Sequence, residues 1–147
     1  MKKENAMKNL QSLLVAVALA VCASGNAQAG NVKVIANASV KADSISGDEV
    51  KSVFLQETSS LRDGSHVEPV LAKGGAAHEA FLKEYLGKSD SVLQTYYRSL
   101  VFTGKGSMPR TLGSDAEVTA YVAKTKGAIG YVSAGAGSEG AKTLQVR

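Results

Sequence analysis

Two stretches of this chain combine glycine with lysine in a way that suits a bound anion. "FTGKGSMPR", Phe102 to Arg110, packs two glycines, Lys105, Ser107 and Arg110 into one connection. "VLAKGGAAHEAF", Val70 to Phe81, runs from an extended segment through Lys73-Gly74-Gly75 into a helical one. The first has the composition of a phosphate loop without its spacing. A nucleotide P-loop needs G-x-x-x-x-G-K-[ST] between a strand and a helix. Here Gly106 follows Gly104-Lys105, Ser99 stands where the leading glycine belongs, and a helical segment precedes. The stretch reads as a connector whose exit Pro109 fixes, with Lys105 and Arg110 as a basic lip. The second stretch has the better order. A helix N-terminus presents free N–H groups and a partial positive charge, and glycine lets a ligand approach the backbone. The carboxyl end of a strand is also where ligands sit in open α/β sheets. Lys73, Gly74, Gly75, Ala76 and Ala77 are therefore the candidate anion site, with Arg110 as an added cation.

Other chemistries find little support. His66 and His78 are the only histidines, and no His or Cys pair has metal-ligand spacing. No G-x-S-x-G elbow is present. Both histidines read as surface residues, and the carboxylates fall in helix caps or on solvated faces. No residue set points to an enzyme, and no cofactor is expected.

The elements around these stretches alternate between strand and helix, which argues for an α/β domain. "VKVIAN" from Val32 reads as a strand. Ser46 and Glu49 form an S-x-x-E capping box ahead of a helix with Val50, Val53 and Phe54 on one face. A strand is expected from about His66 to Ala72, at an edge or irregular because of Pro69. A helix follows to Gly87, with Ala77, Phe81, Tyr85 and Leu86 inward. The next helix places Leu93, Tyr96, Tyr97, Leu100 and Val101 on its apolar side. Ser114 and Glu117 repeat the capping box, with Val118, Tyr121 and Val122 inward and Gly127 at the end. "AIGYVSA" and "KTLQV" are the closing strands.

Residues 1–29 read as a secretory signal peptide. Lys2, Lys3 and Lys8 precede the apolar run Leu13 to Cys22, and "AQA" at Ala27 to Ala29 is a small-x-small cleavage site. A lipoprotein signal ending at Cys22 fits less well, because Val21 stands where a small residue belongs. Export to the periplasm leaves residues 30–147 as one domain of 118 residues (147 less 29) without cysteine. That domain carries 14 basic and 12 acidic residues, because the first 29 hold three lysines and Glu4. The charges alternate and no basic run appears, which excludes a nucleic-acid surface. No other segment is apolar enough to span a membrane.

"SISGDEVKSVFLQE", "VLAKGGAAHEAFLKEYLG" and "SLVFTGKGSMPRTLGSDAEVTAYVAKTKGAIGYVS" together resemble the phosphate ABC-transporter substrate-binding proteins. More narrowly, they resemble short phosphate-binding-protein-like domains of exported bacterial proteins. The helix leading into "GAIGYV" is the most specific piece, and the likeness covers nearly all of Val32 to Ser133. It implies a type II periplasmic binding-protein fold, a mixed sheet flanked by helices, of which this chain would form a single lobe. It implies phosphate or a similar oxyanion as ligand, and an ABC permease or another envelope protein as partner. The family's S-G-T at the helix start falls on Gly75, Ala76 and Ala77, so a glycine-permissive backbone and the helix start are kept and both hydroxyls are gone. Each lost hydrogen bond to a charged ligand forfeits about 1.5–3 kcal/mol, which predicts weak binding. The alternative is a single-lobe protein-interaction module that has lost anion binding. A homodimer would rebuild a two-sided cleft.

Overall fold

The computed structural model describes residues 32–147. The expected signal peptide, its cleavage site and Cys22 lie outside these residues. β1 (Val32–Asn37) is buried on both faces: Val34 and Ala36 face one apolar layer and Ile35 the other. A strand of that kind belongs inside a sheet. It pairs antiparallel with β5 (Ala128–Ser133) on one side and with β6 (Ala141–Val146) on the other. β2 (Ser44–Ile45) joins β6 in parallel, β3 (Glu68–Ala72) joins β5 in parallel, and β4 (Arg110–Leu112) joins β3 in parallel. The mixed six-stranded order is β2-β6-β1-β5-β3-β4. β2 and β4 are too short to show a periodicity, and the sequence reading anticipates neither.

Of the two expectations for β3, an edge place or an irregularity at Pro69, the structure corrects the first. The strand lies between β5 and β4 and tolerates Pro69 for a local reason. The N–H groups along a strand point alternately to its two neighbours. Glu68 N–H turns toward β5 and donates to Gly127 O at 2.9 Å, while Lys73 N–H turns toward β4 and donates to Leu112 O at 2.8 Å. Pro69 shares the direction of Lys73, and β4 pairs only from Val70 onward. Its missing N–H therefore removes no ladder bond.

α4 (Asp115–Lys124) covers one face of the sheet, with Val118 and Val122 packed among Ile35, Val70, Ala128 and Val132. Gly130 lets it sit close, since a Cβ there would lie 3.1 Å from Val118 Cγ1 and 3.4 Å from Val122 Cγ2. Tyr121, expected inward, is only half-buried at the margin of this layer. The Ser114–Glu117 box also closes differently. Ser114 Oγ accepts Glu117 N–H at 3.2 Å, but the Glu117 carboxylate takes Gly113 N–H at 2.8 Å, one residue earlier.

α1 (Gly47–Phe54), α2 (Ala76–Phe81) and α3 (Asp90–Phe102) cover the other face, where the larger core forms. The reciprocal box of Ser46 and Glu49 starts α1 as predicted, and Val50, Val53 and Phe54 are buried. Burial pushes the Glu49 carboxyl up, but bonds from the Arg62 and Ser46 N–H groups outweigh this and hold it below the ordinary carboxylate value. Tyr96 and Tyr97 of α3 donate their hydroxyls to Leu55 O (2.6 Å) and Phe54 O (2.5 Å), binding α3 to the end of α1. The helix expected through Leu86 is α only to Phe81. Leu82–Leu86 continues it as one π turn, and Gly87 closes it in the left-handed conformation. On α3, Leu93 and Tyr97 are buried, Tyr96 and Leu100 are half-buried, and Val101, expected inward, is exposed with Phe102. Leu100, not Val101, carries the buried stripe into the last turn.

Candidate functional site

The β3–α2 turn is built as a backbone cradle. β3 ends at Ala72, and Lys73 N–H is fixed to β4. Gly74 (φ 75°) and Gly75 (φ 90°) both adopt the conformation that side chains disfavour, so other residues would strain the turn. A Cβ added at either would meet nothing within 4 Å, so the turn opens to solvent. Lys73, Gly74, Gly75 and Ala76 are exposed, and Ala77 is buried beneath them. No side chain caps the start of α2, which leaves its first N–H groups facing the turn. The arrangement can receive an anion at backbone N–H groups beside one lysine. Glu79 in the first turn of α2 opposes it with a carboxylate.

Phe102–Arg110 has a different construction. Gly104 N–H donates to Val101 O (3.1 Å) and Lys105 N–H to Leu100 O (2.9 Å), with Gly104 at φ 69°. This is the Schellman closure of a helix, here the end of α3. Gly106 N–H also turns back to Leu100 O, at 3.2 Å. The N–H groups that a phosphate would need are spent on helix carbonyls, at the end where the dipole is negative. The rest of the stretch is tied to α1. Gln56 Nε2 donates to Ser107 O (2.6 Å), and Ser107 N–H donates to Gln56 Oε1 (3.0 Å). Gln56 holds the position after the α1 cap at φ 58°, the one non-glycine residue with positive φ among the described residues. Its side-chain clamp explains why glutamine stands where glycine would be easier. Lys105, Ser107, Met108 and Pro109 line one wall of an open cleft of about 650 Å³. His66 and Glu68 also line it, so this cleft is at the start of β3 and the glycine turn is at its end.

Arg110 begins β4 and places its guanidinium carbon 5.0 Å from the centroid of the Tyr121 ring on α4. It is therefore held on the α4 side of the sheet, while α2 covers the opposite face. The structure brings Lys73 through Ala77 together and holds Arg110 apart from them.

His78 corrects the expectation of a surface histidine: it is 2% exposed. Its Nε2 lies 2.7 Å from Asp90 Oδ1, and its Nδ1 bonds the Tyr131 hydroxyl. Tyr131 Oη also accepts Ala72 N–H at 3.1 Å. Burial pushes the Tyr131 hydroxyl pKa up, only partly offset by the Ala72 N–H, so it remains a proton donor. Phe81 stacks on the Tyr131 ring at 3.8 Å and meets Phe54 edge-on at 4.7 Å. Asp90 is 12 residues from His78 and Tyr131 is 53, so no local spacing announces the cluster. His66 is exposed, as expected. Among the described residues no group of three His, Cys, Asp or Glu could hold a metal, and no helix is long and apolar enough to cross a membrane.

No family model matches the chain, and no curated protein matches it. Solved structures do. PstS from Borrelia burgdorferi superposes with a TM-score of 0.62 at 14% identity, over 80% of this chain and 47% of that one. A protein described as a phosphate ABC transporter substrate-binding protein, with bound phosphate, from Clostridium perfringens gives 0.61 at 13%, over 80% and 45%. An ABC-type phosphate transport receptor from Vibrio cholerae gives 0.53 at 10%, over 80% and 46%. This chain spans less than half the length of each. The neighbours are named as phosphate-binding or phosphate-transport proteins, and the likeness is one of fold: this chain shares a mixed α/β arrangement with part of each.

Proposed function

We propose that this chain is an exported module that binds phosphate or a similar oxyanion at the β3–α2 turn. The single observation behind the reading is the open Gly74-Gly75 turn leading into an uncapped helix start beside Lys73. The N–H groups of Gly75, Ala76 and Ala77 would grip the anion and the Lys73 ammonium would balance its charge. Arg110, stacked on Tyr121, adds only long-range positive potential. The fold likeness to proteins named for phosphate transport supports the ligand class, and an ABC permease is the corresponding partner. With no hydroxyl at Ala76 or Ala77, affinity is expected to be weak.

Calorimetric titration of residues 30–147 with phosphate and with sulfate tests the reading. Saturable heat that disappears in Gly75→Asp supports it; no heat at millimolar ligand from folded protein overturns it. Export is checked separately, by fractionating cells and sequencing the N-terminus.

A second reading, a protein-interaction module, is favoured by one observation. Phe102 is 93% exposed, with Val101 and Met108 also turned to solvent. A second copy of the chain seated there would give a homodimer. Sedimentation that shows a dimer, and a monomer for Phe102→Ser, would support it.

A further inference from the structure

We infer that Asp90, His78 and Tyr131 are positioning residues for the β3–α2 turn, forming a buried hydrogen-bonded chain from the surface to the last strand N–H ahead of Lys73. Calling that turn a ligand site rests on the anion-binding reading; the chain itself does not.

The argument begins with Ala72. Its N–H has the direction of Glu68, toward β5, but β3–β5 pairing ends at Pro69 and Ile129. Three residues later the strands offer it no carbonyl. Tyr131 Oη takes that place, so a side chain from β5 completes the ladder where the backbone no longer does. This makes the end of β3 depend on where one hydroxyl is held.

Proton positions along the chain follow from the partners. A carboxylate only accepts, so the His78 nitrogen facing Asp90 carries hydrogen and donates it. A neutral imidazole then has a bare Nδ1, which accepts the Tyr131 O–H. Tyr131 Oη is left to accept Ala72 N–H. Every donor has one acceptor, and among the described residues no buried side-chain nitrogen or oxygen lacks a partner. Asp90 thus selects the tautomer, the tautomer aims the hydroxyl, and the hydroxyl holds the Leu71–Ala72 peptide, one residue ahead of Lys73. The four residues come from α3, α2, β5 and β3, and His78 lies in the first turn of the helix whose N–H groups open on the turn. The Asp90 side chain is 58% exposed, so one end of the chain reaches solvent, beside a cleft formed with Lys83, Lys88 and Ser89.

The test uses ligand-free protein first. Long-range proton–nitrogen spectra at neutral pH should show His78 as the single Nε2–H tautomer. Asp90→Ala should mix the tautomers and speed hydrogen exchange at the Ala72 amide by about tenfold, although Asp90 does not touch Ala72. Asp90→Asn, which keeps an acceptor, should restore both readouts. Tyr131→Phe keeps the ring stack and should expose the Ala72 amide directly. An Nδ1–H tautomer in the native protein, or an Ala72 amide unmoved when the tautomer mixes, overturns the inference. Phosphate titration is the second arm, with Asp90→Ala expected to bind about three- to tenfold more weakly. Equal phosphate affinity in native protein and Asp90→Ala overturns the positioning role. Absence of phosphate binding in the native protein, with the ligand-free coupling intact, overturns the anion reading and leaves the coupling established.

Discussion

The two glycine–lysine stretches have nearly the same composition and opposite electrostatics. Lys73-Gly74-Gly75 precedes α2, and Gly104-Lys105-Gly106 follows α3. Ahead of a helix the backbone N–H groups are unpaired and the dipole is positive; behind one they close on the last carbonyls and the dipole is negative. The lesson is that a glycine–lysine motif takes its anion chemistry from the end of the helix it occupies. The two regions also differ in what supports them. Beneath the first lies the aromatic stack of Phe81 and Tyr131 with the His78–Asp90 pair. The second is held by backbone bonds to the end of α3 and by the Gln56 clamp, and it carries the exposed Phe102.

The largest contrast should come from one substitution made in both regions. Phe81→Ala removes a fully buried ring and should cost about 3–5 kcal/mol of stability. Phe102→Ala should stay within about 0.5 kcal/mol. Urea unfolding of both variants measures this, and similar losses would break the comparison.

Next comes charge. Lys73→Ala should weaken phosphate binding by about 1.5 kcal/mol, roughly tenfold, while Lys105→Ala should leave it unchanged. Glu79→Gln, which removes the carboxylate near the helix start, should tighten it. Calorimetry on the three variants decides, and a loss confined to Lys105→Ala would reverse the assignment.

A smaller effect sharpens the second region. Gln56→Ala breaks the double clamp on Ser107 and should cost about 1 kcal/mol, with hydrogen exchange rising across residues 105–109 and phosphate affinity unaffected.

The smallest effect lies at the start of α1 and leaves both stretches intact. The Glu49 carboxyl is held below its ordinary value of 4.5, so its contribution is present above that pH and is lost as pH falls through the lower folded value. Stability should drop by about 0.5–1 kcal/mol over that window, and Glu49→Gln should remove the dependence. Since α1 anchors Gln56, exchange at 105–109 should rise before exchange at the glycine turn.

Much of the fold was legible because its signals are local. Ser46 and Glu49 announce α1 at three-residue spacing, and the alternation of Val32–Asn37 announces β1. β4 was not legible, because Arg110–Leu112 has no period and becomes a strand only through Val70–Ala72 beside it. Lys73, Gly74 and Gly75 could be found from strand–glycine–helix order. Arg110 could not be separated from them, since its place on Tyr121 depends on which face of the sheet α4 covers. His78 looked like a surface residue because its partners come from other elements.

The sequence by itself determined the helix starts, the strand pattern of the core and the glycine turn ahead of α2. These depend on residues within a few positions of one another, where capping geometry and side-chain period act directly. The tertiary structure alone decided the sheet order, the internal place of β3, the neutralisation of the second glycine stretch and the burial of His78. Each of these depends on groups far apart in the chain, which meet only when the two faces of the sheet are covered.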